Sequence, residues 1–211
     1  MIKVENFKYR NIIDDTNIVI NPGLNFLYGP NGTGKSTFLD CIANILNNYD
    51  GNITGNENIV YLNQSLYFSM RLKVKDFVQF VFTLDNITPY KKQFFRKASF
   101  YNLESFFENI WNKEVAVLSG GERRKLFFIT ISFLDREWYV FDEPFAGVDE
   151  EGKKQMLSIF NHLLSQDRSI IFTSHEILGF SEQHHVNIYE FSNKSIIKSN
   201  EKKFIKTTAL T

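Results

Sequence analysis

At 211 residues the chain has room for one large domain, or one domain with a subdomain, and 43% hydrophobic with 16% aromatic residues can supply a substantial core. Its 24 basic residues balance 24 acidic ones, which removes any global electrostatic drive toward nucleic acid or an anionic membrane. The one cysteine excludes an internal disulfide, and the longest apolar runs, such as 126–134, fall far short of the roughly 20 residues that span a bilayer.

Taken in chain order, residues 2–9 and 17–21 read as short strands joined by a polar turn over Asn11 to Thr16. Met1 to Arg10 mixes charged and apolar residues too closely for a signal peptide, so a soluble, cytoplasmic protein is expected. Leu24 to Tyr28 is an apolar strand. The run Gly29-Pro30-Asn31-Gly32-Thr33-Gly34-Lys35-Ser36-Thr37 follows it and fits the phosphate-binding pattern G-x-x-x-x-G-K-S/T. Phe38, Leu39, Ile42, Ile45 and Leu46 then recur at helical spacing. The loop thus leads a strand into a helix N-terminus, where unpaired N–H groups and the helix dipole favour an anion. Its glycines let the backbone wrap closely around phosphates. Lys35 is placed to reach the outer phosphates, and the Ser36 hydroxyl to hold Mg²⁺. Cys41, inside the helix, reads as a small core residue.

Ile59 to Leu62 is another short strand, ending at Asn63-Gln64. From about 66 to 117 glycine disappears, Pro89 is the only proline, and aromatics crowd in: Phe77, Phe80, Phe82, Phe94, Phe95, Phe106, Phe107 and Trp111. This composition predicts a small helical subdomain. Leu118-Ser119-Gly120-Gly121-Glu122 breaks it and opens a helix to about Asp135; a serine and two glycines there suit a second anion site or an ordinary helix cap. Trp138 to Phe141 is a buried strand running into Asp142-Glu143. Beside a phosphate loop that pair suits one metal carboxylate and one water-activating carboxylate; alone it also fits a buried strand with a polar end. A helix is expected over 150–166, then a buried strand Ser169 to Thr173 ending at Ser174-His175. From about 186 the tail alternates like one or two edge strands and then turns lysine-rich. His184-His185 has no companion ligands and reads as a solvated turn; Lys91, Lys92, Arg96 and Lys97 read as a solvated helix face. Apolar strands alternating with helices indicate an α/β fold with a mainly parallel, covered sheet.

With the Leu-Ser-Gly-Gly motif about 20 residues ahead of Asp142-Glu143, the chain resembles the ATP-binding cassette (ABC) ATPases over essentially its whole length. The resemblance implies a phosphate-loop core, an N-terminal antiparallel β-subdomain, and a helical subdomain at about 66–117 inserted in a single domain, 1–211. It implies ATP and Mg²⁺ as ligands. The triphosphate falls to Gly29, Pro30, Asn31, Gly32, Thr33, Gly34, Lys35, Ser36 and Thr37, and the metal to Ser36, Asp142 and Gln64. Gln64 corresponds to the Q-loop glutamine, Asp149 to the D-loop aspartate, Glu143 to the catalytic base and His175 to the switch histidine that contacts the γ-phosphate. Tyr9 is the expected aromatic against adenine, with Phe7 as alternate and core packing as the other reading. The family forms head-to-tail dimers, identical or paired cassettes, in which Ser119, Gly120 and Gly121 of one protomer close over ATP bound to the other. Two roles follow. One is the motor subunit of a transporter, with transmembrane permease subunits as partners at the inner face of the membrane, in a small bacterial exporter. The other is a soluble ATPase of an assembly or DNA-maintenance machine. The DNA-maintenance members carry a long coiled coil between the nucleotide motifs, whereas only about 107 residues separate Lys35 from Asp142 here. The segment from about Ser65 to Phe82 is the expected permease contact, and no nucleic-acid partner is expected.

Overall fold

A six-stranded sheet carries the phosphate loop. The computed structural model describes residues 1–65, 68–174 and 185–199. The sheet is built from β3 (Leu24–Tyr28), β5 (Ile59–Leu62), β6 (Trp138–Phe141), β7 (Ser169–Thr173), β8 (Val186–Ser192) and β9 (Ser195–Ser199). Its order is β5-β6-β7-β3-β8-β9, parallel throughout except for the antiparallel pair β8–β9. β6 and β7 are buried along their whole length, as strands covered on both faces must be. Within β3 the amide nitrogen of the buried Asn25 donates to the carbonyls of Asn21, Gly23 and Ile170, while its Oδ1 is buried without a partner among the described residues.

A second, antiparallel sheet orders β2 (Ile13–Ile20), β1 (Ile2–Tyr9) and β4 (Asp50–Thr54). Two expectations change here. The turn is shorter than Asn11 to Thr16, and β2 starts at Ile13, because Asp14 and Asp15 lie on the solvent face of an edge strand while Thr16 is buried. Asp14 pairs with Lys8 at 3.0 Å. β4 is a strand that composition hides, since Asp50, Gly51 and Asn52 face outward and only Ile53 is buried. The helix after the phosphate loop, α1 (Lys35–Ile42), is also shorter than its apolar spacing predicts. Asn44 takes a left-handed φ of 57° and Ile45 is exposed.

The described chain divides into two compact units. The first holds Met1–Gln64, Arg136–Glu143 and the described residues from Leu163 on, which include both sheets and α1. Its core joins Ile2, Val4, Phe7, Phe38, Leu39 and Cys41. Cys41 is fully buried, and that burial, with the charge of Asp40 second, pushes its thiol up to about 12. A thiol reagent at pH 8 is therefore expected to leave Cys41 unmodified until denaturant is added. Rapid labelling of the native protein would show that the face of α1 carrying Cys41 opens readily.

The second unit holds Ser65–Asp135 and Pro144–His162. It contains α2 (Val74–Leu84), α3 (Tyr90–Phe100), α4 (Glu104–Ile110), a 3₁₀ turn at Val115–Val117, α5 (Gly120–Ser132) and α6 (Glu150–Ser165) through His162. Of the aromatics that mark this stretch in the sequence, Phe77, Phe82, Phe94, Phe107 and Trp111 are in its core, Phe95 and Phe106 are half-buried, and Phe80 is exposed. Phe94 sits between Phe82, Phe107, Trp111 and Phe133 with ring centroids 4.6–5.7 Å apart. Contacts of this kind contribute roughly 0.5–1.5 kcal/mol each beyond their burial. Val74 and Phe77, which lie in the segment expected to contact the permease, turn inward as part of the Val74, Phe77, Val78, Phe82 stripe of α2. Arg71, Leu72 and Lys73 remain exposed.

Candidate functional site

In the first unit the loop leaves β3, one of the sheet's inner strands, and enters α1. Gly34 caps the helix at φ 100°, ψ 11°, a left-handed conformation that glycine adopts without strain. A Cβ there would also lie 2.7 Å from Ile12. The Lys35 ammonium donates to the carbonyls of Gly29 at 2.6 Å and Pro30 at 2.9 Å, and the Thr33 hydroxyl donates to Pro30 at 2.8 Å. Burial lowers the pKa of Lys35, while the charges of Glu143 and then Asp142 pull it back up. A cavity of about 460 Å³ is lined by Asn31, Gly32, Gly34, Lys35, Ser36 and Thr37 from the loop and helix start. Ile12, Gln64 and Glu143 complete its wall.

Gln64 and Glu143 stand on one side of this cavity because β5 and β6 are neighbours in register, Leu62 against Phe141. Two residues further along one strand and two along the other, the Gln64 amide donates to the Glu143 carboxylate at 3.1 Å. Glu143 has φ 51°, a left-handed conformation that non-glycine residues seldom take. Asp142, just before it, is buried at 1% exposure.

In the second unit Ser119 caps α5. Its hydroxyl accepts from the Glu122 N–H at 3.1 Å, and the Glu122 carboxylate accepts from the Ser119 N–H at 2.8 Å, a reciprocal capping box. A Cβ on Gly121 would meet the Gly147 carbonyl at 2.5 Å, so the start of α5 can approach Gly147 only with glycine at that position. Asp149 accepts from the Gly152 N–H at 2.8 Å in the first turn of α6. Ser119, Gly121, Glu122, Lys125 and Phe106 line a pocket of about 260 Å³ with Gly147, Val148 and Asp149. Lys125 lies 4.0 Å over the Phe106 ring.

The sequence matches the family described as ABC transporter over residues 13–146. An uncharacterized ABC transporter ATP-binding protein of Methanocaldococcus jannaschii is 30% identical over 83% of this chain and 68% of that protein. The chain belongs to the ABC transporter ATPase family. A "probable metal transport system ATP-binding protein" of Thermotoga maritima is 28% identical over 84% of the chain and 75% of its own length. The lipopolysaccharide export system ATP-binding protein LptB of Escherichia coli K12 is 27% identical over 81% and 77%. Among solved structures, an ATP-binding subunit of an ABC transporter superposes with TM-score 0.82 at 19% identity, covering 99% of this chain and 93% of its own. A nucleotide-free ATP-binding cassette superposes with TM-score 0.77 at 18% identity, covering 100% and 95%. These superpositions establish the fold: an α/β ABC cassette with a mixed, mainly parallel sheet, an N-terminal antiparallel sheet and a set of helices. As a member of the family the chain is an ATP-binding, ATP-hydrolysing subunit.

Within this ABC ATPase Asn31, Gly32, Gly34, Lys35, Ser36, Thr37, Gln64 and Glu143 meet around one cavity, whose lining does not include Gly29, Pro30, Thr33 or Asp142, and Ser119, Gly121 and Asp149 meet around another in the other unit, without Gly120. His175 lies outside the described residues, as does His184. Tyr9, expected against adenine, is 4% exposed and packs in the core with Phe7, because an irregularity in β1 between Val4 and Phe7, where Asn6 takes φ 50°, breaks the alternation and turns Phe7 and Tyr9 to the side that Ile2 and Val4 bury. The side chain from the β1–β2 connection that lines the cavity is Ile12. Nothing in the sequence singles it out from Ile13 beside it. Thr173 is the other residue that motif reading passes over: its hydroxyl donates to Asp142 and accepts from the Glu143 N–H. A hydroxyl at the end of β7, directly after the apolar Ile170 to Phe172 and two residues before His175, is the signal it left.

Proposed function

We propose that this ABC ATPase powers a transporter, binding ATP in the cavity of the first unit and hydrolysing it in a head-to-tail dimer. The observation that carries the reading is the convergence of Lys35, Ser36, Gln64 and Glu143 on one cavity of about 460 Å³. In this reading Lys35 and the loop N–H groups from Gly29 to Thr37 neutralise the triphosphate, and the base packs beside Ile12. Ser36, Asp142 and Gln64 offer hydroxyl, carboxylate and amide oxygens, the hard donors that Mg²⁺ takes. Bound there, Mg²⁺ would offset charge on the phosphates. Glu143 orients and polarises the attacking water, for which the Gln64 amide must first release its carboxylate. His175 steadies the γ-phosphate. The second protomer, an identical chain or a paired cassette, brings Ser119, Gly120, Gly121 and Asp149. That assignment is supported by Gly120, where a Cβ would meet nothing within 4 Å among the described residues. The test is a titration of ATPase rate against protein concentration: a specific activity that rises with concentration supports shared sites, and one that stays flat argues for a self-contained monomer.

No helix among the described residues is long and apolar enough to cross a membrane. We assign the transport path to permease subunits, with this chain peripheral at the inner membrane face. Export is the direction we infer, in keeping with the relative named for lipopolysaccharide export. The permease contact we assign to the segment after Gln64. Exposed Arg71, Leu72 and Lys73 lie there, and Phe80 is 53% exposed with Phe68 against it at 6.1 Å between centroids. Reversing the charge at Arg71 and Lys73 is expected to weaken co-purification with the permease by about tenfold or more while sparing ATP binding. Crosslinks to the permease that map beyond residue 190 instead would rule this contact out.

A further inference from the structure

We infer that Thr173 is a positioning residue for the Asp142–Glu143 pair, a role distinct from the family motifs around it and resting on the reading of Asp142 as metal carboxylate and Glu143 as base. The register brings it there. β6 and β7 run parallel with Phe141 opposite Phe172, so the next residue of each strand, Asp142 and Thr173, lie side by side at the strand ends. The Thr173 side chain is fully buried and Asp142 nearly so.

A threonine hydroxyl has one proton to give and lone pairs to receive. Thr173 uses both functions on neighbouring residues of one segment. It donates to the Asp142 carboxylate at 2.5 Å and accepts from the Glu143 N–H at 2.9 Å. The first bond fixes one carboxylate oxygen of Asp142 and with it the plane of the group. The second holds the backbone of Glu143 at φ 51°, where the chain turns sharply out of the strand. From that turn the Glu143 side chain reaches the cavity and meets the Gln64 amide at 3.1 Å. One hydroxyl thereby sets the aim of both carboxylates. A valine at 173 has the same shape and neither bond; a serine has both bonds without the methyl group.

The consequence is a split between binding and chemistry. Thr173→Val should lower kcat roughly 10- to 100-fold, the scale of a sub-ångström to 1 Å misplacement of reacting groups, and change the KM for ATP by no more than about threefold. Binding of a fluorescent ATP analogue in EDTA should match the wild type, because Lys35 and the loop amides are untouched. The Mg²⁺ concentration needed to reach half of the metal-dependent gain in that binding should rise severalfold, because the Asp142 carboxylate is no longer oriented. Thr173→Ser should restore both kcat and Mg²⁺ response to within about threefold of wild type. Thr173→Cys, which keeps a small polar-sized group but is a poor hydrogen-bonding partner, serves in place of valine if the latter does not fold. A valine or cysteine variant with wild-type kcat and Mg²⁺ response would overturn the inference, as would a serine variant no better than valine. Glu143→Gln run alongside separates the two claims. If it loses turnover while the Thr173 variants do not, only the positioning role fails; if it hydrolyses ATP normally, the reading of the pair itself fails.

Discussion

Lys35→Ala is expected to lose most nucleotide binding, about 100-fold in affinity. The ammonium donates to the carbonyls of Gly29 and Pro30 at 2.6 and 2.9 Å, so the loop's own backbone holds its cation in place. Alanine removes that cation and leaves two carbonyl oxygens facing the phosphate site. Hydrogen bonds to charged groups contribute about 1.5–3 kcal/mol, and 1.4 kcal/mol is a tenfold change in affinity. Two such contacts to the outer phosphates make a 100-fold loss a conservative figure. The loss should be largest for ATP and smaller for a nucleotide without the outer phosphates. A calorimetric titration in which Lys35→Ala binds ATP as tightly as the wild type would remove Lys35 from the site.

The reach of the sequence differs from one part of the molecule to another. Local chemistry was legible wherever residue type and backbone demand coincide. Gly34 has to be glycine to cap α1 at φ 100°, and Ser119 with Glu122 makes the capping box that their spacing announces. The fully buried strands β6 and β7 declare themselves by their apolar runs, Trp138 to Phe141 and Ile170 to Phe172. What stayed hidden depends on pairing between distant segments. The N-terminal half of β2 looks like a turn because Asp14 and Asp15 are polar, and only the edge position of that strand makes them tolerable. Tyr9 reads as available for a base, but the register shift in β1 between Val4 and Phe7 turns it into the core and leaves Ile12 on the cavity wall. Thr173 has no meaning in the sequence until the β6–β7 register sets it beside Asp142. Lys125 over Phe106 joins α5 to α4 across a distance no local pattern reports.

Glu143→Gln is expected to keep ATP binding and lose turnover by about 10²–10⁴-fold, the usual contribution of a general base. Glutamine preserves the shape of the side chain, and the backbone N–H that bonds Thr173 at 2.9 Å is unaltered, so the left-handed turn at this position should survive. What disappears is the charge that draws a proton from water. The contact with Gln64 changes character as well, since two neutral amides replace an amide donating to a carboxylate. Removing a negative charge beside the triphosphate should also favour the closed dimer, with two ATP molecules held between each phosphate loop and the partner's copy of the Ser119-Gly120-Gly121 motif. Sizing chromatography of the variant with ATP should therefore show a dimer. Ser119→Arg in the same background should abolish it, because the bulky cation takes the place of a hydroxyl at the start of α5, where the partner's phosphates are to approach. Wild-type hydrolysis by Glu143→Gln would mean that another group activates the water. A variant that stays monomeric at saturating ATP would mean that the cassettes close only when permease subunits hold them together.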